Sequence, residues 1–165
     1  MRVRRTGSSG SRGMREDYGV IRPARPGDAD AVAALFRRSF GTMTFLPTLH
    51  TPEEDREFFG RAVSELEVWA YEEDDRILGF AALGEDLLHH LYVDPAAHSR
   101  GIGTALLEHA KSRRPGGFRL WVFQRNEGAR RFYERHGFRL VELTDGSENE
   151  EREPDALYEW RPGPG

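Results

Sequence analysis

Two residue periodicities trade places along this chain in an order that admits few folds. Alternating or wholly apolar runs read as strands at 18–23, 67–72, 77–84, 87–93, 118–123, 138–143 and 156–160. Runs with apolar residues three and four apart read as helices between them. Asp28 opens the first, which carries Val32, Leu35, Phe36 and Phe40 and ends at Gly41. Thr51-Pro-Glu-Glu54 starts the second with a capping box and a proline at the first helical position. The third, 101–114, places Ile102, Ala105, Leu106, His109 and Ala110 on one face. Asn126 or Glu127 caps the fourth, which bears Ala129, Phe132, Tyr133 and His136 before a glycine stop at Gly137. The order β-α-α-β-β-β-α-β-α-β-β predicts an α/β fold. Its mixed central sheet has about seven strands, flanked on both faces by about four helices.

Residues 1–17 lack this periodicity and are rich in Gly, Ser and Arg, so they read as a disordered leader in which Met14 could be an alternative start. A single domain is expected over 18–162, with 163–165 as a tail. The 165 residues carry a formal net charge of -4, which excludes the basic footprint of a nucleic-acid binder. There is no cysteine, hence no disulfide, thiolate metal site or cysteine nucleophile. No apolar run approaches the roughly 18 residues that span a bilayer, and the N-terminus lacks the apolar core of a secretory signal. A soluble, cytoplasmic chain without membrane or nucleic-acid partners is expected. The six histidines form no His-x-x-x-His pair with a third ligand nearby, so no metal is expected.

The sequence His98-Ser-Arg-Gly-Ile-Gly-Thr-Ala-Leu-Leu107 sets two glycines at the mouth of the third helix. Bare backbone at a helix start offers unpartnered N–H groups to an anion. A phosphate-binding loop of the Walker type needs Gly-Lys-Ser/Thr, and Gly103 is followed by Thr104 with no lysine nearby. A dinucleotide fingerprint needs a third glycine where this chain has Leu106. What fits is strand, Val93-Asp-Pro95, a short excursion, then Arg100-Gly-Ile-Gly103.

With these residues the chain resembles the GNAT superfamily, the GCN5-related N-acetyltransferases. The family's pyrophosphate signature, Gln/Arg-x-x-Gly-x-Gly/Ala, reads here as His98-Ser-Arg-Gly101-Ile-Gly103. Leu91-Tyr-Val-Asp-Pro95 looks like its fourth strand and exit. Asn126-x-x-Ala129-x-x-x-Tyr133-x-x-x-Gly137-Phe138 is similar to its second motif in every spacing. The likeness covers roughly 19–161.

The resemblance implies transfer of an acetyl group from acetyl-CoA to a primary amine, small or peptide-borne, by direct attack in a ternary complex. It implies that the backbone N–H groups of Arg100, Gly101, Ile102, Gly103 and Thr104, with His98 and Ser99 beside them, hold the pyrophosphate. The strand edge at Leu91, Tyr92 and Val93 would pair with the pantetheine arm where the family's fourth and fifth strands splay apart. A backbone amide near Val93 would polarise the thioester carbonyl, and Asn126 would bond the pantetheine. Tyr133 stands where the family places the acid that protonates the departing thiolate. His98 departs from the usual Gln or Arg; histidine is fully charged only at lower pH, and Arg100 is expected to supply the missing charge.

The base that takes the amine's proton is open. Strict alternation places Leu87, His89, Leu91 and Val93 on one face. Leu87 stands where relatives carry a carboxylate, so His89 leads as base, with Glu85 and Asp86 possible through a water. His90 faces the other way and reads as a satisfied structural histidine. Met43, Phe45 and His50 could shape the acceptor pocket, with the acidic loop 145–154 at its border. Phe132, Trp69, Trp121 and Trp160 read as packing residues. Exposed Phe45 and Leu46 would suit a homodimer interface. The alternative reading is a GNAT-like module that binds acyl-CoA without turnover.

Overall fold

The computed structural model describes residues 2–4 and 18–163. Their strands are β1 (Arg2–Arg4), β2 (Tyr18–Pro23), β3 (Glu67–Glu73), β4 (Arg76–Leu83), β5 (Leu87–Val93), β6 (Phe118–Phe123), β7 (Arg139–Leu143) and β8 (Asp155–Trp160). The helices are α1 (Ala29–Phe40), α2 (Pro52–Glu65), α3 (Ile102–Arg113) and α4 (Glu127–Arg135). One sheet runs β1-β2-β3-β4-β5-β6-β8-β7. The seven expected strands are all present. The eighth, β1, pairs antiparallel with Tyr18, Gly19 and Val20, which corrects the leader read as wholly without regular structure. The rest of that leader, residue 1 and residues 5–17 with Met14, lies outside the described residues.

Local chemistry sets the helices. Thr51 and Glu54 close a reciprocal capping box, Glu54 N–H donating to Thr51 Oγ1 at 3.1 Å and Thr51 N–H to Glu54 Oε1 at 2.9 Å. Before α1, Asp28 accepts from the Arg25 N–H at 2.7 Å and from both Arg22 Nη atoms. α1 and α2 cover one face of the sheet through Val32, Leu35, Phe59, Ala62, Val68, Phe80 and Ala82. α3 and α4 cover the other through Ile102, Leu106, Leu107, Tyr133 and Phe138.

Every strand pair is antiparallel except β5/β6. These run parallel and pair only at Leu87↔Arg119 and Leu88↔Leu120, so β5 has no partner on that side beyond Leu88. On its other side the β4 register slips: Ala82 faces His90, but Leu83 faces Leu88. His89 is thus an extra, bulged residue. The bulge turns Leu88 to the α3 side with Leu91 and Val93, while His90 and Tyr92 face α1 and α2. His89 itself is exposed. This corrects the strict alternation that grouped it with Leu91 and Val93.

Met43, Phe45 and Leu46 are half-buried. The Phe45 ring lies edge-on to Phe123 at 6.2 Å and under the Arg125 guanidinium at 4.7 Å, which removes the exposure on which an interface was expected. Trp69 and Trp160 pack as anticipated, against His109 and Phe118. Trp121 does not, being 44% exposed.

Candidate active site

The start of α3 is bare in the sense the sequence implies. Gly101, its N-cap, sits at φ +80 with no side-chain cap. A Cβ there would meet nothing within 4 Å, so the glycine answers to backbone conformation and not to space. The N–H groups of Ile102, Gly103 and Thr104 have no intrahelical acceptor and form the positive end of the helix dipole. Gly103 lies against Phe132 and Val93, at 3.5 and 3.7 Å from an added Cβ. Three side chains around this turn already have partners, although Arg100 Nε is buried without one. Arg100 Nη2 donates to both Glu73 carboxylate oxygens at 2.7 Å, so the charge expected to make up for His98 is already paired with Glu73. His98 Nε2 lies 3.3 Å from the Val93 carbonyl oxygen, and Thr104 Oγ1 lies 3.2 Å from His136 Nε2.

Next to this turn lies the open edge of β5. The Asp94 N–H donates to Leu78 O at 2.8 Å. Antiparallel alternation therefore directs the N–H and C=O of Leu91 and Val93 away from β4, to the unpaired side. Tyr133, on α4, is buried at 9% exposure between Phe132 and Phe138. Its hydroxyl makes no hydrogen bond among the described residues. Burial, and then the Tyr92 phenol, push its pKa above the ordinary tyrosine value, so Tyr133 stays protonated across the neutral range. Asn126 Oδ1 caps α4 by accepting from the Ala129 N–H at 3.2 Å. Its Nδ2 meets only the Met43 sulfur, at 3.5 Å.

On the α1–α2 side of β5 is a cavity of about 490 Å³. Phe36, Phe58, Phe59, Tyr92, Trp121 and Phe123 give it aromatic walls, and Glu54, Glu57, Glu150 and Glu151 an acidic rim. Arg37 holds the rim by donating to Asp55 at 2.6 Å and to the His50 carbonyl at 3.1 Å. His50 lines the cavity and bridges to Glu150, Nε2 to Oε1 at 2.6 Å. Met43 and Phe45, the other expected acceptor residues, are not part of its lining. A second hollow of about 510 Å³ adjoins it, sharing Trp121, Phe123 and Glu151. Among the described residues no group of His, Cys, Asp and Glu could hold a metal ion, and no helix is long and apolar enough to cross a membrane.

His89 borders this cavity with its Nε2 close over Gly84, 2.7 Å from where a Cβ would sit. His90 is the larger surprise. It is not satisfied: its buried Nδ1 has no hydrogen-bond partner. Burial, followed by the charge of His89, lowers its pKa to about 4. Sequence reasoning passed over His90, Trp121 and the α2 residues Phe58 and Glu57 as site groups. The adjacent histidines were a signal, but the bulge that separates their directions is a property of strand pairing.

Residues 64–140 match the family model described as an acetyltransferase (GNAT) domain. The chain is 31% identical over 123 residues to the peptidyl-lysine N-acetyltransferase YjaB of Salmonella typhimurium, covering 73% of this chain and 83% of that protein. It is 36% identical over 93 residues to the peptidyl-lysine N-acetyltransferase YiaC of Escherichia coli. That match covers 56% of this chain and 62% of the relative, less than two thirds of its length. The solution structure of apo-form YjaB from Escherichia coli superposes with a TM-score of 0.71 at 26% identity, over 86% of this chain and 97% of that one. With the motifs, the sheet and these relatives in agreement, the chain belongs to the GNAT family of N-acetyltransferases.

Proposed function

We propose that the protein moves the acetyl group of acetyl-CoA to a primary amine by direct attack in a ternary complex, and that the amine is a lysine side chain on a peptide. The observation that carries this reading is two openings on one strand. The uncapped α3 turn and the unpaired β5 edge open on one side of β5, and the acid-rimmed aromatic cavity on the other. The aromatic walls suit the aliphatic stem of a lysine, and the rim attracts its charge. The adjoining hollow leaves room for the peptide to continue. The names of YjaB and YiaC favour the same acceptor class.

Each residue then has a task. The N–H groups of residues 100–104 hold the pyrophosphate at the helix start. Leu91 and Val93 offer their backbone groups to the pantetheine amides as another strand would. For the arm to reach the Val93 carbonyl, the His98 ring must leave it, which places His98 and Ser99 at the coenzyme's edge. The Val93 N–H is aimed at the thioester oxygen, where one donor of this kind is worth about 3 kcal/mol of barrier. Asn126 keeps its capping bond and has Nδ2 available for the arm. Tyr133, held protonated by burial, gives its proton to the departing sulfur.

Thermal unfolding with and without acetyl-CoA, followed by mass spectrometry of a lysine peptide, tests this. At about 100 times the dissociation constant, acetyl-CoA should add about 2.7 kcal/mol of stability. The peptide should gain one acetyl group, and Tyr133→Phe should lower kcat by about 10²-fold or more with the thermal shift retained. No shift and no transfer would sink the reading. A shift without transfer to any amine would leave an acyl-CoA-binding module.

A further inference from the structure

The ring of His90 sits in the aromatic wall of the cavity, with centroids 5.2 Å from Phe59, 5.7 Å from Phe58 and 6.1 Å from Tyr92. A phenylalanine would pack there without leaving a polar atom unpaired, and an unpaired buried nitrogen is a standing cost. The two ring nitrogens differ. Nδ1 is sealed among the rings without a partner. Nε2 also makes no hydrogen bond among the described residues, but it is not sealed, so it is the atom that opens to the cavity His90 lines. A neutral imidazole with its proton on Nδ1 presents a free lone pair at Nε2.

We propose that His90, through Nε2, takes the proton of the acceptor ammonium inside the cavity, the task the sequence pointed to His89 for. This rests on the acetyltransferase reading above. The ammonium N–H bond breaks, Nε2–H forms, and the positive charge passes to the imidazole. The freed lone pair closes the N–C bond at the thioester carbonyl, the C–S bond breaks, and sulfur takes the Tyr133 proton. The second proton shed by the acetylated nitrogen restores Tyr133, and His90 releases its proton to water at the rim.

Burial holds His90 neutral, with its pKa down at about 4, which leaves the lone pair free at every working pH. That low value does not forbid the transfer. One positive charge moves between two atoms of the same cavity, so the desolvation that disfavours imidazolium disfavours the ammonium too. What remains is the ordinary gap between an amine near about 10.4 and an imidazole near about 6.5. The charged groups around the cavity come from several elements. α1 contributes Arg37, α2 Glu54, Asp55, Glu57 and Arg61. His50 and, from the β7–β8 loop, Glu150 and Glu151 close the mouth, and His89 and Tyr92 flank His90 on β5. Arg37 is neutralised by Asp55 at 2.6 Å, so the field at the mouth is negative and favours a transient imidazolium.

Initial rates with acetyl-CoA and a lysine peptide, from about pH 5 to about pH 10, decide this for the wild type, His90→Gln, His90→Phe and His89→Gln. His90→Phe keeps the volume of the wall, and thermal unfolding shows whether each variant folds and keeps its acetyl-CoA shift. Both His90 variants should lose about 10²-fold or more in kcat near neutral pH and recover toward wild type at high pH, where free amine accumulates. The wild type should show no break near about 6.5, where a solvated imidazole base would titrate. A His90 variant with wild-type kcat, a loss equal at every pH, or a larger loss in His89→Gln would overturn the assignment. If the wild type acetylates no amine, the acetyltransferase reading itself has failed and this role goes with it.

Discussion

The two sides of β5 are built by different means. At the α3 turn the groups on offer are backbone amides, exposed by what the sequence omits: a side-chain cap at Gly101, a Cβ at that φ, a neighbour within 4 Å. In the cavity they are side chains brought together from α1, α2, β5, β6 and two loops. A site made of backbone depends on a few consecutive residues and can be read locally. A site made of converging side chains exists only once the strands have paired. The first is expected to tolerate changes in surrounding side chains, the second to depend on single ones.

Arg100 gives the sharpest way to break that contrast. Its guanidinium lies beside the turn but is bound to Glu73, whose side chain is 10% exposed. If the turn binds through backbone alone, Arg100→Gln should cost about 1.5–3 kcal/mol of stability, the range for a hydrogen bond to a charged group. Acetyl-CoA affinity, measured by calorimetry well below the midpoint, should stay within experimental error. A tenfold loss of affinity at unchanged denaturation midpoint would make Arg100 a coenzyme ligand, and the turn would no longer be a backbone site.

The same contrast explains what the sequence made legible. Element order from residue 18 onward, all four helices, the capping box at Thr51 and the glycine turn follow from contiguous residues, and each is where the sequence put it; β1 is the exception. The fate of His89 and His90 does not. It turns on a one-residue slip opposite Ala82 and Leu83, and strand alternation read from β5 alone cannot see its partner's register. Trp121 was misjudged for a related reason. On β6 it lies just past the point where β5 and β6 stop pairing, after Leu88 and Leu120, and lines the cavity there. Arg100 was misassigned because its partner lies 27 residues upstream on β3.

Gly101 sharpens the comparison at a smaller scale. Ala in place of Gly101 adds a Cβ with open space around it but forces an L-residue to φ +80, at a cost of about 1–2 kcal/mol. The denaturation midpoint should fall accordingly. Acetyl-CoA affinity should fall with it if the turn relaxes to relieve the strain. Retained affinity beside lost stability would mean that the coenzyme holds the turn in its left-handed form and itself offsets the strain.

The smallest effect joins the two regions through the far end of α3. Glu67 accepts from Arg113 Nε at 2.6 Å, from Arg114 Nη1 at 3.2 Å and from Trp69 Nε1 at 2.7 Å. Arg114 also donates to Gly84 O at 2.7 Å, gripping the turn that leads into the His89 bulge. These partners, Arg113 first, hold the Glu67 pKa down from 4.5 to about 2. A depressed carboxylate stabilises the fold above its unfolded value and loses that contribution as the pH falls through the folded one. Because the group is partly exposed, solvent screening keeps the effect to tenths of a kcal/mol. Stability of the wild type should therefore decline between pH 4.5 and about 2 more steeply than that of Glu67→Gln. Parallel curves in acid would show that Arg114 grips the Gly84 turn without help from Glu67, and that the helix bearing the proposed coenzyme site and the strand bearing the histidines are tied by that arginine alone at this corner.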